Sequence, residues 1–252
     1  MSYPACVDVV IPFYNGNDFI NEALKSIFEN DYISKIFIVV DLNSCIPSIH
    51  DIYLSGGKLK VIFNNYDVGG AGVVRSIGYN QADAEFVAFL DCDDIWSADK
   101  LRVQIPHMIS NNLAFSFHGF SHFLTPNKLI RRPIVPLGSF NGVNFYKKKF
   151  TIGCLSVVIN KNMIGELPLI TLKRRNDYML WHFVIQCCES RLFGWGGIQD
   201  VLGFHRITSG SLSSSKFKSA IYYYKFLKSC GFPLSTRLVY WCCYFINTIG
   251  SR

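Results

Sequence analysis

Four consecutive residues, Asp91-Cys92-Asp93-Asp94, follow the apolar run 86–90. Carboxylates crowded in this way repel one another and destabilise the chain unless a cation lies among them. The chemistry they suit is a hard divalent ion held by one or two carboxylates, with the oxygens of a phosphate-bearing ligand completing its shell. Asp94 precedes the helical pattern of residues 95–104 and is equally placed to cap that helix, a role that leaves Asp91 and Asp93 unaccounted for. Asn15, Asp41 and the pair Asn64–Asn65 likewise come just after short apolar runs.

The elements that must position these residues follow from hydropathy. Runs 7–11, 36–40, 60–63 and 86–90 are short and apolar and predict buried strands, the first stopped by Pro12. Residues 19–28 place Phe19, Ile20, Ala23, Leu24, Ile27 and Phe28 at helical spacing, with Asn17 or Asp18 as the N-cap. Residues 72–82 also read as a helix. Strands alternating with helices imply an α/β fold with a doubly wound, mostly parallel sheet. Ligands bind beyond the carboxyl ends of such strands, so the polar strand-end residues should gather at one edge. Farther along, 115–123 and 155–159 read as strands, 131–138 as a Pro-broken loop, 176–188 as a helix and 209–215 as a flexible loop.

The 252 residues are half hydrophobic and 17% charged, which supports a sizeable core and excludes global disorder. Charge is unevenly spread. Residues 1–100 carry six Lys/Arg against fourteen Asp/Glu, residues 101–200 twelve against four, and residues 201–252 seven against none. The basic second half suggests an anionic partner, whether nucleic acid, a phosphate-bearing ligand or an anionic membrane. The acidic first half argues against nucleic acid, despite an isoelectric point of 8.9. Nine cysteines, two pairs of them adjacent at Cys187–Cys188 and Cys242–Cys243, fit a reduced, cytoplasmic protein better than a disulfide framework. The opening residues lack the pattern of a signal peptide. The apolar run 238–249 is too short to cross a bilayer, though with its aromatics and the neighbouring Lys and Arg it could rest on one or cap the fold internally.

Six segments, in order over about residues 6–216, resemble those of family-2 GT-A glycosyltransferases, which build bacterial surface polysaccharides such as O-antigen and capsule. They are VDVVIPFYNGNDFINEALKSIFEN, IFIVVDLNS, NNYDVGGAGVVRSIGYNQADAEF, FVAFLDCDDIWSADKLRVQ, KRRNDYMLWHFVI and GFHRITSGSLSSSK. The resemblance implies a GT-A catalytic domain over 1–216, with a nucleotide-binding half to about 108 and an acceptor half from 109. A basic, aromatic, helical, membrane-associating extension would follow over 217–252.

On that resemblance, Asp91 and Asp93 are the DxD carboxylates, Asp93 holding Mg²⁺ or Mn²⁺ on the donor diphosphate and Asp91 near the ribose or sharing the ion. Asp41 reads the base, although Leu42 stands where the family has a second Asp. Pro12, Tyr14, Asn15, Gly69, Arg75 and Cys92 join the nucleotide-sugar site, with His205 and Arg206 on a basic loop closing over the diphosphate. Asp177 is the catalytic base, competing with a plain helix N-cap. An acceptor hydroxyl becomes a competent nucleophile when a positioned carboxylate takes its proton. The implied reaction is inverting transfer of a hexose from a nucleotide diphosphate, UDP first among them, to a lipid-diphosphate-linked saccharide at the inner face of the cell membrane.

Overall fold

The computed structural model describes residues 6–125, 128–129, 132–207 and 216–249. The loop expected over 209–215, and Arg131 of the loop expected over 131–138, lie outside them. The first half is built as expected. Strands β1 (Val7–Phe13), β2 (Ile33–Val40), β3 (Leu59–Phe63) and β4 (Phe86–Phe89) alternate with helices α1 (Ile20–Lys25), α2 (Asp51–Leu54) and α3 (Ala71–Gln81). These four strands are parallel, in the order β3-β2-β1-β4. β1 runs through Pro12, where the sequence predicted its end. Its pairing with β4 stops at Val10, so the missing N–H of Pro12 falls beyond that ladder.

The second half completes the sheet. Its elements are β5 (Ile95–Trp96), α4 (Lys100–Ser110), β6 (Leu113–Thr125), β7 (Lys128–Leu129), α5 (Gly142–Tyr146), a 3-10 turn (Cys154–Ser156), β8 (Val158–Asn160), α6 (Lys161–Ile164), α7 (Asn176–Arg191) and β9 (Gly194–Arg206). The order continues β4-β8-β6-β9-β5, with β7 on β6. β8 is antiparallel to both β4 and β6, whereas β6 and β9 run parallel. The strand expected over 155–159 is thus a 3-10 turn followed by three strand residues.

Both faces of the sheet are covered, which is why its strands read as unbroken apolar runs. Val9, Ile11 and Phe13 point into one core with α1 and α4, and Val10 points into the other with α3 and α7. Asp8, also fully buried, accepts hydrogen bonds from the backbone N–H groups of Lys35, Asp83 and Ala84 at 3.0, 2.8 and 3.0 Å, tying β2 and the α3–β4 turn to β1.

Two helices follow, α8 (Lys216–Ser229) and α9 (Leu234–Ile249). Tyr223, Phe226 and Leu227 are fully buried in the core that holds Trp181 of α7, and Tyr240, Trp241 and Phe245 pack against it. The aromatics expected either to meet a membrane or to cap the fold therefore face inward. Leu234, Leu238, Val239 and Ile246 remain exposed on α9, and no helix among the described residues is long and apolar enough to cross a membrane.

Candidate active site

The polar residues at the ends of β1–β4 do meet. Asp41 closes β2. Its carboxylate accepts from Asn64 Nδ2 at 3.1 Å and from the Gly70 N–H at 2.8 Å, which draws the loop between β3 and α3 over the strand end. Gly70 has φ +125°, a conformation open to glycine, and a Cβ on Gly69 would sit 2.8 Å from Asp41 Oδ1. Asn15 exchanges hydrogen bonds with Ser44 and Cys45, and Asn17 and Asn21 bind the backbone of residues 46–50. Asn17 is thus occupied with that segment, and α1 has no side-chain N-cap, contrary to the expectation for Asn17 or Asp18. Tyr14 is exposed and Pro12 buried in β1. Burial pushes the half-buried Cys92 thiol up to about 12, which keeps it protonated.

The carboxylates after β4 sit differently from one another. Asp91 bonds Arg75 at 2.5 Å, and Arg75 also donates to Asn176 Oδ1 at 2.9 Å. Arg75 is 6% exposed, so a surface arginine is excluded. Asp94 is buried. Its Oδ1 accepts the Arg206 N–H at 2.9 Å, and Oδ2 has no partner. The helix expected to use Asp94 as a cap begins six residues later, at Lys100, so that role is overturned. Burial raises Asp93 and Asp94 above the usual carboxylate range, and repulsion from Asp91 adds to both shifts.

His205 and Arg206, expected on a loop, end the strand β9. Arg206 is clamped between the rings of Phe19 and Phe123, donates to the Asp93 carbonyl at 2.8 Å and pairs with Glu22. It braces the backbone of the acidic segment.

Beside these groups, Asp177 is the second residue of α7, next to the Asn176 that Arg75 holds. The helix starts at Asn176 after Arg175 in a left-handed conformation, and no side-chain cap bond is made, so Asp177 is not an N-cap. A cleft of about 460 Å³ brings Arg75, Asp91, Asp94, Asp177 and His205 together. Asp93, Cys92, Asp41 and Arg206 lie outside its lining. His122, Lys148, Thr151 and Cys154, which the sequence did not single out, complete much of the lining. Nothing distinguishes Lys148 from its neighbours in the run 147–149 except its fold. Its ammonium donates to Thr151 Oγ1 at 2.9 Å and lies 5.0 Å from the Tyr178 ring centre.

Burial, and then the nearby Arg175 guanidinium, push Lys148 down to about 7. Unfolded, it would hold its proton to about pH 10.4. Between those values the unfolded chain carries more protons, so folding stability gains as pH rises through that window. In Lys148→Met this gain should be absent. Melting temperatures followed from about pH 7 to 9.5 should climb in the wild type relative to the variant. Parallel curves would put the ammonium in solvent.

The donor set also bears on a divalent cation. Among the described residues no three His, Cys, Asp or Glu side chains form a ready-made cage. A cation carried by one or two carboxylates and a diphosphate needs none. The surplus of acid over base after β4, the raised Asp93 and the orphaned Asp94 Oδ2 fit such an ion.

A sequence model described as glycosyl transferase family 2 matches residues 8–166. The chain is 28% identical over 217 residues to the UDP-Glc:alpha-D-GlcNAc-diphosphoundecaprenol beta-1,3-glucosyltransferase WfgD of Escherichia coli, covering 84% of this chain and 81% of that one. It is 29% identical over 224 residues to the putative teichuronic acid biosynthesis glycosyltransferase TuaG of Bacillus subtilis, covering 85% and 84%. Among solved structures, S. aureus TarS 1-349 in complex with UDP-GlcNAc superposes with a TM-score of 0.65 at 17% identity, covering 89% of this chain. The chain spans 65% of that structure, just under two thirds of it. The likeness establishes the fold, the α/β GT-A arrangement that the sequence resembles. With the family pattern matched across β1 to α6 and its strand-end carboxylates held at one edge of that fold, the chain belongs to glycosyl transferase family 2.

Proposed function

We propose that this enzyme is an inverting, cation-dependent hexosyltransferase. It moves a sugar from a nucleotide diphosphate, UDP, to a hydroxyl of a lipid-diphosphate-linked saccharide during assembly of a bacterial surface polysaccharide. The observation that carries the reading is that Asp177 and the Arg75–Asp91 pair line one and the same cleft. Asp177 takes the acceptor proton as its oxygen attacks C1, and one displacement with one base inverts the anomeric centre. Arg75 holds Asp91 in place, and Asp41 fixes the loop over which the base would lie. Asp93, with Asp91, would hold Mg²⁺ or Mn²⁺, which supplies positive charge to the departing diphosphate. The names of WfgD and TuaG support the acceptor class and the pathway. In this reading the enzyme is cytoplasmic and rests on the inner membrane face through the exposed aliphatic edge of α9.

The test is transfer from a panel of nucleotide sugars, with Mn²⁺ or Mg²⁺, onto GlcNAc-diphosphate-lipid. Asp93→Ala should abolish transfer and cation-dependent donor binding, with the melting temperature held or raised because a repelled carboxylate is gone. Full activity in EDTA would remove the cation from the reading, and transfer to soluble saccharides alone would remove the lipid.

A further inference from the structure

Beside the catalytic cleft lies a larger groove of about 670 Å³, floored by residues 168–174 and walled by α7 and α8. Its apolar side is made by Leu172, Met179 and Phe183, the last 39% exposed. Its other side is cationic. Arg174 Cζ and Lys225 Nζ approach the ring of Tyr222 to 5.5 and 5.7 Å, and Lys173 stands next to them. Among the described residues none of these three cations pairs with a carboxylate. Residues 167–175 and 201–252 contain no acid at all. Two cations brought to one ring without a counter-charge repel, and an anion between them removes that cost.

The groove is joined to the cleft. A smaller recess shares Lys173, Arg174 and Tyr222 with the groove, and Arg175, Asn176 and Asp177 with the catalytic side. Arg174 is three positions before Asp177. A saccharide whose hydroxyl meets the Asp177 carboxylate can therefore set the diphosphate at its far end on the cations, and the hydrocarbon beyond the diphosphate along the apolar wall.

We infer that this groove is the subsite for the acceptor's diphosphate and the first part of its lipid. Arg174 and Lys225 grip the diphosphate, and Phe183 with Leu172 lies against the chain. The inference rests on the lipid-linked acceptor proposed above and assigns that acceptor a place distinct from the donor cluster at Asp41 and Asp91.

Calorimetric binding to the full chain tests it without requiring turnover. The probes are GlcNAc diphosphate bearing an undecyl chain, the undecyl GlcNAc glycoside without diphosphate, UDP with Mn²⁺, and phosphatidylglycerol vesicles. The double variant Arg174→Ala, Lys225→Ala should bind the diphosphate probe about tenfold to a hundredfold more weakly, as loss of charge-assisted hydrogen bonds implies. The glycoside and UDP should bind it as they bind the wild type. Arg174→Lys with Lys225→Arg should recover most of the affinity, and Phe183→Ser should weaken both undecyl probes alike. Unchanged affinity of the double variant for the diphosphate probe, or no binding by the wild type, would overturn the subsite. An equal loss of vesicle binding would overturn it too, by making the groove a bilayer contact. Separately, a wild type that binds the probe yet transfers sugar to soluble saccharides alone would fail the proposed function and leave the groove an amphiphile site.

Discussion

Replacing Asp177 by Asn should lower turnover by about 10²- to 10⁴-fold, the usual worth of a general base, while donor affinity is kept. The amide has the shape of the carboxylate and cannot take a proton. Among the described residues that carboxylate makes no ion pair, although its charge favours the protonated forms of Arg75, Arg175 and Lys148. It makes no capping bond to α7, and the helix start is set by the left-handed Arg175 and by Asn176, which Arg75 holds. The loss should therefore appear in kcat, with stability changed by at most about 1 kcal/mol from the missing negative charge in the first turn. Steady-state kinetics beside a thermal melt separate the two. Turnover within about tenfold of the wild type would assign the proton to another group, because a general base is worth at least 10²-fold.

The largest effect on stability is expected at Asp8. Its buried carboxylate serves three backbone N–H groups, and Asp8→Ala leaves all three without a partner between β1, β2 and the α3–β4 turn. Each orphaned donor costs about 1–3 kcal/mol, so a loss of about 3–9 kcal/mol is expected for the three. That is much of the total stability of an ordinary domain. Asp8→Asn keeps one acceptor oxygen and should fall between. Urea unfolding of the three proteins gives the order directly, and an Ala variant as stable as the Asn variant would show that the N–H groups find other partners.

Asp8 also illustrates what the sequence conceals. It sits inside a run whose apolar neighbours predict a buried strand, and the strand is there. What the carboxylate does depends on residues 27 and 75 positions away. The first half was legible because parallel strands covered on both faces must be apolar throughout, and because acids crowded after a strand have few structural reasons to exist. Arg75 could be placed only by its resemblance to the family, since a helix interior gives no sign of which arginine turns inward.

The second half was harder to read. β9 carries Gly194, Gly196, Gly197 and Gly203, residues that weaken a strand pattern, and the resemblance placed His205 and Arg206 on a loop. In the fold such glycines make room. A Cβ on Gly203 would meet Leu155 Cδ1 at 2.7 Å, a contact invisible before the chain is folded. Lys148 and Thr151 reach the cleft through the packing of α5 and the turn after it, for which local spacing gives no signal.

The hydrogen bond from Arg175 to Tyr244 Oη, 2.9 Å long, ties the residue just before α7 to α9. Arg175 also lies 5.1 Å from the Tyr178 ring and 6.0 Å from that of Tyr223 on α8. During synthesis the first half of the chain emerges before α7, and α9 comes last. The left-handed bend that aims Asp177 gains its last partner when Tyr244 has left the ribosome. A nascent chain still short of Tyr244 should thus hold the start of α7 less firmly than the finished protein does.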